Sequence, residues 1–299
     1  MQEQQQQLKD FKFKKLLLNS PETQTIVLLG YFEDENKEAV LIFKKKPFSD
    51  DYQNNLNKII QQNKYFENDI FTRYNIEIQN DEWNEIDLQT IYPATQKLIN
   101  KYTKCDSIIV VETPEIYNSV VKKYIDEVKT NSLQWLYNIL EGKAEQERIL
   151  YQNQDMHKGF IILPDYKFND FTNTQQLYLL AITQRRDIQS LRDLDGSHIE
   201  LLENIQRITE QTIQEKFKIF KNKIRAYIHY HPTYYHLHIH FTHIEVQETS
   251  MNCDRSHPLH QVIYNLKKDP SYYKNTPLMY SIQSTNPLYS QLKQITEQN

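Results

Sequence analysis

Apolar residues along this chain fall into short stretches whose spacing alternates between the strand and the helix period. Thr25 to Phe32 and Ala39 to Phe43 are apolar segments separated by the polar stretch EDENK, which predicts the two strands of a hairpin. Lys44, Lys45, Lys46 and Pro47 end it. Leu56, Ile59 and Ile60 recur at helical spacing within Tyr52 to Asn63, and Ile76 to Ile78 and Leu88 to Tyr92 read as further strands. Pro93 then interrupts, and Thr95 to Tyr102 predicts a polar helix with few apolar anchors, a hinge between a small α+β unit and the larger remainder of the chain.

The second region begins near Cys105. Pro114 to Lys129 and Asn131 to Leu140 predict two helices, the second carrying Trp135 inward, and Ile149 to Tyr151 and Gly159 to Leu163 predict short strands. Asn173 to Gln184 reads as a helix with Leu177, Leu180 and Ala181 on one face. Ser197 to Phe217 is the longest periodic stretch, with Ser197 as N-cap and Glu200 as its capping-box partner. Ile224 to Tyr230 and Tyr235 to Ile244 read as adjacent strands, and His257 to Leu266 and Pro287 to Thr296 as helices. The fold class is α+β, divided as 1–97 for an N-terminal α+β domain, 98–104 for the hinge and 105–299 for the larger domain.

Charge narrows the ligand. Lys and Arg number 35 against 39 Asp and Glu, a net charge of −4, which argues against a protein that grips long nucleic acid through its phosphates. The four glycines, Gly30, Gly142, Gly159 and Gly196, are scattered, which excludes the Gly-rich loops that cradle phosphates with backbone amides. Any phosphate must be held by side chains. No apolar run reaches the roughly 18 residues of a membrane helix. Cys105 and Cys253 have no metal-type spacing and read as reduced, intracellular thiols. These features predict a soluble protein of the cytoplasm, or of cytoplasm and nucleus, with no membrane partner.

Candidate chemistry concentrates in one place. Six of the ten histidines fall in YIHYHPTYYHLHIHFTHI, and strand alternation puts His236, His238 and His240 on one face with Leu237, Ile239 and Phe241 on the other. Two chemistries use such a row: a metal site, for which Asp254 is an available carboxylate, or metal-free phosphoryl transfer with an imidazole as nucleophile. The transfer reading predicts polar groups around the strand, and Tyr230, Thr233, Tyr234, Tyr235, His229 and Arg255 supply them.

The pattern HLHIH followed by Phe241 resembles that of the histidine-triad hydrolases and transferases. FENDIF, IYPATQKLINKY, LQWLYNILEGKAEQERI, ILPDYKF, LYLLAITQRRDIQSLRDL and DRSH, in this order, are similar to one branch of them, the scavenger mRNA decapping enzymes. The resemblance runs from about Phe11 to the last helix. It implies a histidine-triad-like C-terminal domain preceded by an N-terminal domain exchanged within a homodimer. It also implies hydrolysis, without metal or cofactor, of an m7G cap dinucleotide or a short capped RNA fragment. His238 takes the place of the nucleophile, and His236 and His240 those of its orienting and phosphate-binding neighbours. Trp135, Glu145 and Tyr166 fall at cap-base positions. Asp165, Lys167, Lys101, Tyr178, His229, Thr233, Arg255 and Asn68 fall at ribose or phosphate positions. Phe71, Tyr166 and Phe168 depart from the residues common in the family. Two other functions compete: another triad activity, on dinucleoside polyphosphates or phosphoramidates, and a silent cap-binding module.

Overall fold

The computed structural model describes residues 8–34, 36–46, 56–69, 71–78, 85–247 and 251–298. The chain divides into two compact units, 1–105 and 106–299. The first unit contains β1 (Lys12–Ser20), β2 (Thr25–Tyr31), β3 (Glu38–Lys45), β4 (Ile59–Asn68), β5 (Phe71–Ile78), β6 (Ile86–Ile91) and the helix α1 (Gln96–Tyr102). An antiparallel sheet runs in the order β1-β2-β3-β6, while β4 and β5, among the described residues, pair only with each other. Leu17, Val27, Leu29 and Val40 form a core that Ile99 of α1 completes, so the segment read as a hinge carries an anchor of the first unit.

Of the helix expected over Tyr52 to Asn63, residues 52–55 lie outside the described residues, Leu56 and Asn57 are helical, and from Ile59 the chain runs as strand β4. Nearly every side chain of β4 and β5 is exposed. No buried face imposes a two-residue period on that sequence, so three isolated apolar residues dominated its pattern.

The second unit opens with β7 (Ser107–Glu112) and α2 (Pro114–Ile116), which continues through a π-helical turn at Tyr117–Val121 into α3 (Lys122–Ser132), followed by α4 (Gln134–Leu140). Then come β8 (Tyr151–Gln152), β9 (Phe160–Pro164), β10 (Tyr178–Thr183), α5 (Ile199–Phe217), β11 (Ile224–His229) and β12 (His238–His243). β13 (Ser256–Pro258), α6 (Leu259–Lys268), α7 (Tyr272–Asn275), β14 (Leu278–Gln283) and α8 (Tyr289–Gln298) complete it. The main antiparallel sheet has the order β13-β11-β12-β10-β9-β8, and β7 pairs with β14 in a separate ribbon.

Four sequence expectations are corrected in this unit. Residues 173–184 hold strand β10 after a short 3-10 turn at Thr174–Gln176, because LYLLAIT is buried on both faces and a continuous apolar run carries no strand period. Asp195, not Ser197, caps the approach to α5; its carboxylate accepts from Ser197 N, and Glu200 instead pairs with Lys158 at 2.7 Å. β12 begins at His238, so His236 lies before the strand and not in its alternating row. His257 belongs to β13, with α6 starting at Leu259.

Candidate active site

The register of β12 decides what its two faces meet. His238 lies opposite Ile182 and His240 opposite Leu180, while Ile239 lies opposite Ala181 and Phe241 opposite Leu179. The apolar face, with Ile239 and Phe241 fully buried, joins the main core beneath α5 and α6. The histidine face belongs to the side covered by α4, where Leu136, Ile139 and Leu140 pack on Ile161, Leu163 and Ile182. Both faces are buried, so three imidazoles are held out of water.

His238 Nδ1 lies 2.7 Å from the carbonyl oxygen of His236. A carbonyl only accepts, so Nδ1 carries the proton and Nε2 keeps its lone pair. Burial drives the pKa of this imidazole down to about 4, with the hydrogen bond to His236 opposing and the His236 and Arg255 charges adding to the fall. The ring is therefore neutral at pH 7. The Tyr234 ring stacks on it at 4.1 Å. His236 turns its own Nε2 to the carbonyl of Thr183 at 2.8 Å. Its contribution to His238 comes from its backbone.

On the other side of His238 the His240 ring lies 5.0 Å away between centroids, with Tyr227 stacked on it at 5.2 Å and His229 at 4.2 Å. Tyr178 meets His240 Nδ1 through its hydroxyl at 2.9 Å, a contact that requires β10 to be a strand paired with β12. His240 Nε2 is buried with no hydrogen-bond partner. Burial first, then the charges of His238, His229, Arg255 and Lys167, hold this imidazole well below its ordinary pKa.

Trp135 points out, not in. The apolar anchors of α4 are Leu136, Ile139 and Leu140, and Trp135 is 48% exposed with its ring edge-on to Tyr234 at 5.3 Å. Tyr234 thus links the exposed indole to the buried His238. After α4 the chain reverses at Gly142, whose φ of 74° suits a residue without Cβ, and Gln146 bonds back to Ile139 O. Glu145 sits in this turn paired with Arg148, whose other nitrogen donates to Pro164 O at 2.8 Å. That bridge ties Glu145 to the end of β9, where Asp165, Tyr166 and Lys167 come next. Asp165 accepts from Lys167 N, Tyr166 is largely exposed, and Lys167 Nζ lies 6.0 Å from the Tyr166 ring and 5.8 Å from the Tyr178 ring. Phe168 is buried against Phe171 and Phe217, which makes it a core residue.

The loop between β11 and β12 carries Thr233, exposed, and Tyr234; half-buried Arg255 precedes β13, and its carbonyl accepts from Tyr230 N at 2.9 Å. A buried cluster that no sequence pattern signalled anchors this loop. Glu112, fully buried, accepts from Arg192 Nε at 2.9 Å, Tyr230 OH at 2.7 Å and Tyr280 OH at 2.9 Å, and His231 Nε2 lies 3.5 Å away. Burial alone would raise the Glu112 carboxyl; His231, Tyr230 and Arg192 together hold it below its usual range. Tyr230 and His231 are thereby fixed immediately before Thr233 and Tyr234.

Asn68 and Lys101 belong to the first unit. Asn68 ends β4 opposite Phe71, both exposed, and Lys101 lies on α1 with Nζ 5.3 Å from the Tyr102 ring. Among the described residues no group of three His, Cys, Asp or Glu side chains is arranged to hold a metal ion, and no helix is long and apolar enough to cross a membrane.

Residues 6–105 match a family model described as scavenger mRNA decapping enzyme N-terminal, and residues 134–255 match one described as scavenger mRNA decapping enzyme C-term binding. The m7GpppX diphosphatase of Mus musculus is 35% identical over 294 residues, spanning 96% of this chain and 86% of the relative. Those of Caenorhabditis elegans and Schizosaccharomyces pombe are each 32% identical, over 97% and 96% of this chain and 93% and 95% of the relatives. Two matched domains and identity along nearly the whole length agree with the histidine face and its neighbours, and the chain belongs to the scavenger mRNA decapping enzyme family.

Proposed function

We propose that this protein hydrolyses m7GpppN caps or short capped mRNA fragments to m7GMP and a diphosphate-ended product, through a phosphohistidine on His238. The observation that carries this reading is the tautomer of His238: a neutral, buried imidazole with Nδ1–H committed to a carbonyl and its lone pair on Nε2. Nε2 attacks the phosphorus next to methylguanosine, the N–P bond forms, and the P–O bond to the departing diphosphate breaks. The positive charge gained by the ring is stabilised by the His236 carbonyl. Water then attacks the same phosphorus, the N–P bond breaks, the water's proton is released, and Nε2 recovers its lone pair.

His240 Nε2, a buried nitrogen without a protein partner, suits a phosphate oxygen. Lys167, Arg255, Thr233, Tyr178 and His229 act as further phosphate donors, and Asp165 meets the ribose. Methylation makes the guanine ring cationic, which favours stacking on the exposed Trp135 indole, with Tyr166 as a second ring and Glu145 pairing the base edge. Glu145 must exchange its Arg148 partner for the base to do so.

A homodimer with exchanged N-terminal domains supplies Asn68 and Lys101. The exposed Tyr65, Phe66, Phe71 and Tyr74 on the two-stranded β4–β5 hairpin support that reading, since such a hairpin is marginal alone. Light scattering at twice the 36.1 kDa chain mass is the expected result, and a monomer rejects it. Chromatography of m7GpppG digests tests the activity: m7GMP and GDP are expected with EDTA present, and unmethylated GpppG is expected to react far more slowly. Loss of activity in EDTA with recovery on Zn²⁺ would favour a metal site on the histidine face.

A further inference from the structure

The loop between β11 and β12 carries Thr233 and Tyr234, and its two ends are held by more than backbone. Outside the turn the main chain is tied on both sides: Tyr230 N donates to Arg255 O at 2.9 Å and Leu237 N to Ile188 O at 2.9 Å. Pro232 removes one backbone rotation from the span between them. Across that span runs a side-chain bond, with the Tyr235 hydroxyl 3.1 Å from His231 Nδ1.

Both partners of that bond are themselves held. The His231 ring stacks on Tyr230 at 4.1 Å and meets Tyr280 edge-on at 4.4 Å, and the hydroxyls of both tyrosines donate to Glu112. The Tyr235 ring is buried in the main core, edge-on to Tyr124 at 6.4 Å. The Glu112 carboxylate lies 3.5 Å from His231 Nε2 without bonding it, near enough to favour a proton on that nitrogen. Nδ1 then keeps its lone pair and the Tyr235 hydroxyl donates to it. A phenol also accepts, so a charged imidazole would keep the bond with its direction reversed. The link across the loop therefore survives either protonation state of His231.

A buried tyrosine needs no hydroxyl to pack, since phenylalanine fills the same space. What this hydroxyl adds is a tie between positions 231 and 235, and Tyr234 lies within it. Its ring stacks on His238 at 4.1 Å with the planes 19° apart, which limits rotation of the imidazole and so the direction of its Nε2 lone pair. We propose that His231 and Tyr235 are positioning residues for the transfer step: their bond braces the loop so that Tyr234 stays over His238 and Thr233 stays at the phosphates. The assignment rests on the decapping reading, in which His238 attacks phosphorus. A displacement of about 1 Å in such a part is enough to slow a reaction without touching the reacting atoms.

The test uses the full-length protein and measures single-turnover hydrolysis of m7GpppG, which reads the transfer itself, beside the Kd of 7-methylguanosine, which reads the base site on α4. Tyr235→Phe removes only the hydroxyl and should slow the single-turnover rate about three- to tenfold, the scale of one net hydrogen bond, with the 7-methylguanosine Kd within about twofold of wild type. His231→Asn, which keeps an acceptor near the place of Nδ1, should stay near the wild-type rate. The double variant His231→Phe with Tyr235→Phe separates position from stability. Either change alone leaves a buried polar group unpaired, and the two together leave none. The urea midpoint should therefore recover in the double variant while the rate stays as low as in Tyr235→Phe. A rate that recovers with the midpoint, a wild-type rate in Tyr235→Phe, or a loss of 7-methylguanosine binding in step with the rate would overturn the assignment and leave decapping intact. Where the double variant fails to fold, a rate in His231→Asn as low as in Tyr235→Phe overturns it equally. No turnover of m7GpppG by wild type would overturn the decapping reading, and the role of the brace with it.

Discussion

Glu112 and His238 are the centres of two buried polar clusters in one unit, and they differ in how completely their atoms are paired. Around Glu112 the strong donors meet acceptors: Arg192 donates to the carboxylate and to the carbonyls of Glu112, Tyr273 and Thr276, two tyrosine hydroxyls donate to the carboxylate as well, and His231 Nε2, 3.5 Å from it, is the member that makes no hydrogen bond. Around His238 the pairing is incomplete. Nδ1 is fixed on a carbonyl, Nε2 keeps a lone pair, and the neighbouring His240 Nε2 is buried without a partner. A saturated cluster fixes a shape, whereas an unsaturated one stores a capacity to bind or react. The two are joined in sequence, because Tyr230 and His231 lead directly into Thr233, Tyr234 and the histidines.

The contrast predicts opposite failures. His238→Asn should remove turnover by at least about 10³-fold, the scale lost when a nucleophile is deleted, while leaving the urea midpoint and m7GMP affinity near those of wild type. Residual turnover within tenfold of wild type would remove His238 from the nucleophile's place. Glu112→Ala should act the other way, destabilising the fold by about 3–5 kcal/mol because the Arg192 charge is left buried without its partner. Equilibrium unfolding reads that loss. A Glu112→Ala protein that keeps its stability and loses only kcat would make the cluster catalytic.

Acid should act through the buried imidazoles. His238 and His257 are both pushed down to about 4, mainly by burial, whereas their unfolded values lie near 6.5. The unfolded chain therefore binds more protons between those limits, and stability that is complete above pH 6.5 falls as the pH drops toward 4. Each histidine contributes a slope of up to about 1.4 kcal/mol per pH unit in that window. Urea midpoints at pH 7 and pH 5 measure it, and His257→Gln should flatten the slope without touching the triad. A midpoint that rises on acidification would contradict the buried neutral state of both rings.

The histidine face was legible in the sequence because alternation is written by burial on both sides of a central strand: His238 and His240 against Ile239 and Phe241. The same double burial hid β10, whose unbroken apolar run mimics a helix segment, and with it the reason Tyr178 reaches His240. His236 reads as a third member of the row, yet its side chain serves Thr183 and its carbonyl serves His238, a distinction that lies in backbone geometry. Glu112 was invisible, since its partners stand 80, 118 and 168 positions away in sequence and no local pattern marks them. Asn68 and Lys101 were reached by resemblance alone.

Trp135 gives the finest test of the comparison, because it touches the reactive cluster only through Tyr234. The periodicity of LQWLYNIL suggests an inward anchor, and α4 instead buries its three aliphatic neighbours and presents the indole to solvent. An exposed tryptophan adds little to stability, so Trp135→Ala should leave the urea midpoint within about 0.5 kcal/mol, the usual range for surface substitutions. Its loss should appear in recognition: a cationic ring on an indole is worth about 0.5–2 kcal/mol, or roughly 3- to 30-fold in m7GMP affinity. The discrimination against unmethylated GMP should shrink with it, because only the methylated base carries the positive charge. Trp135→Phe should recover part of that discrimination, since a smaller π face keeps the stack and weakens the attraction. If Trp135→Ala binds GMP and m7GMP with the same ratio as wild type, the indole takes no part in reading the cap, and its contact with Tyr234 is a packing contact that only steadies the ring over His238.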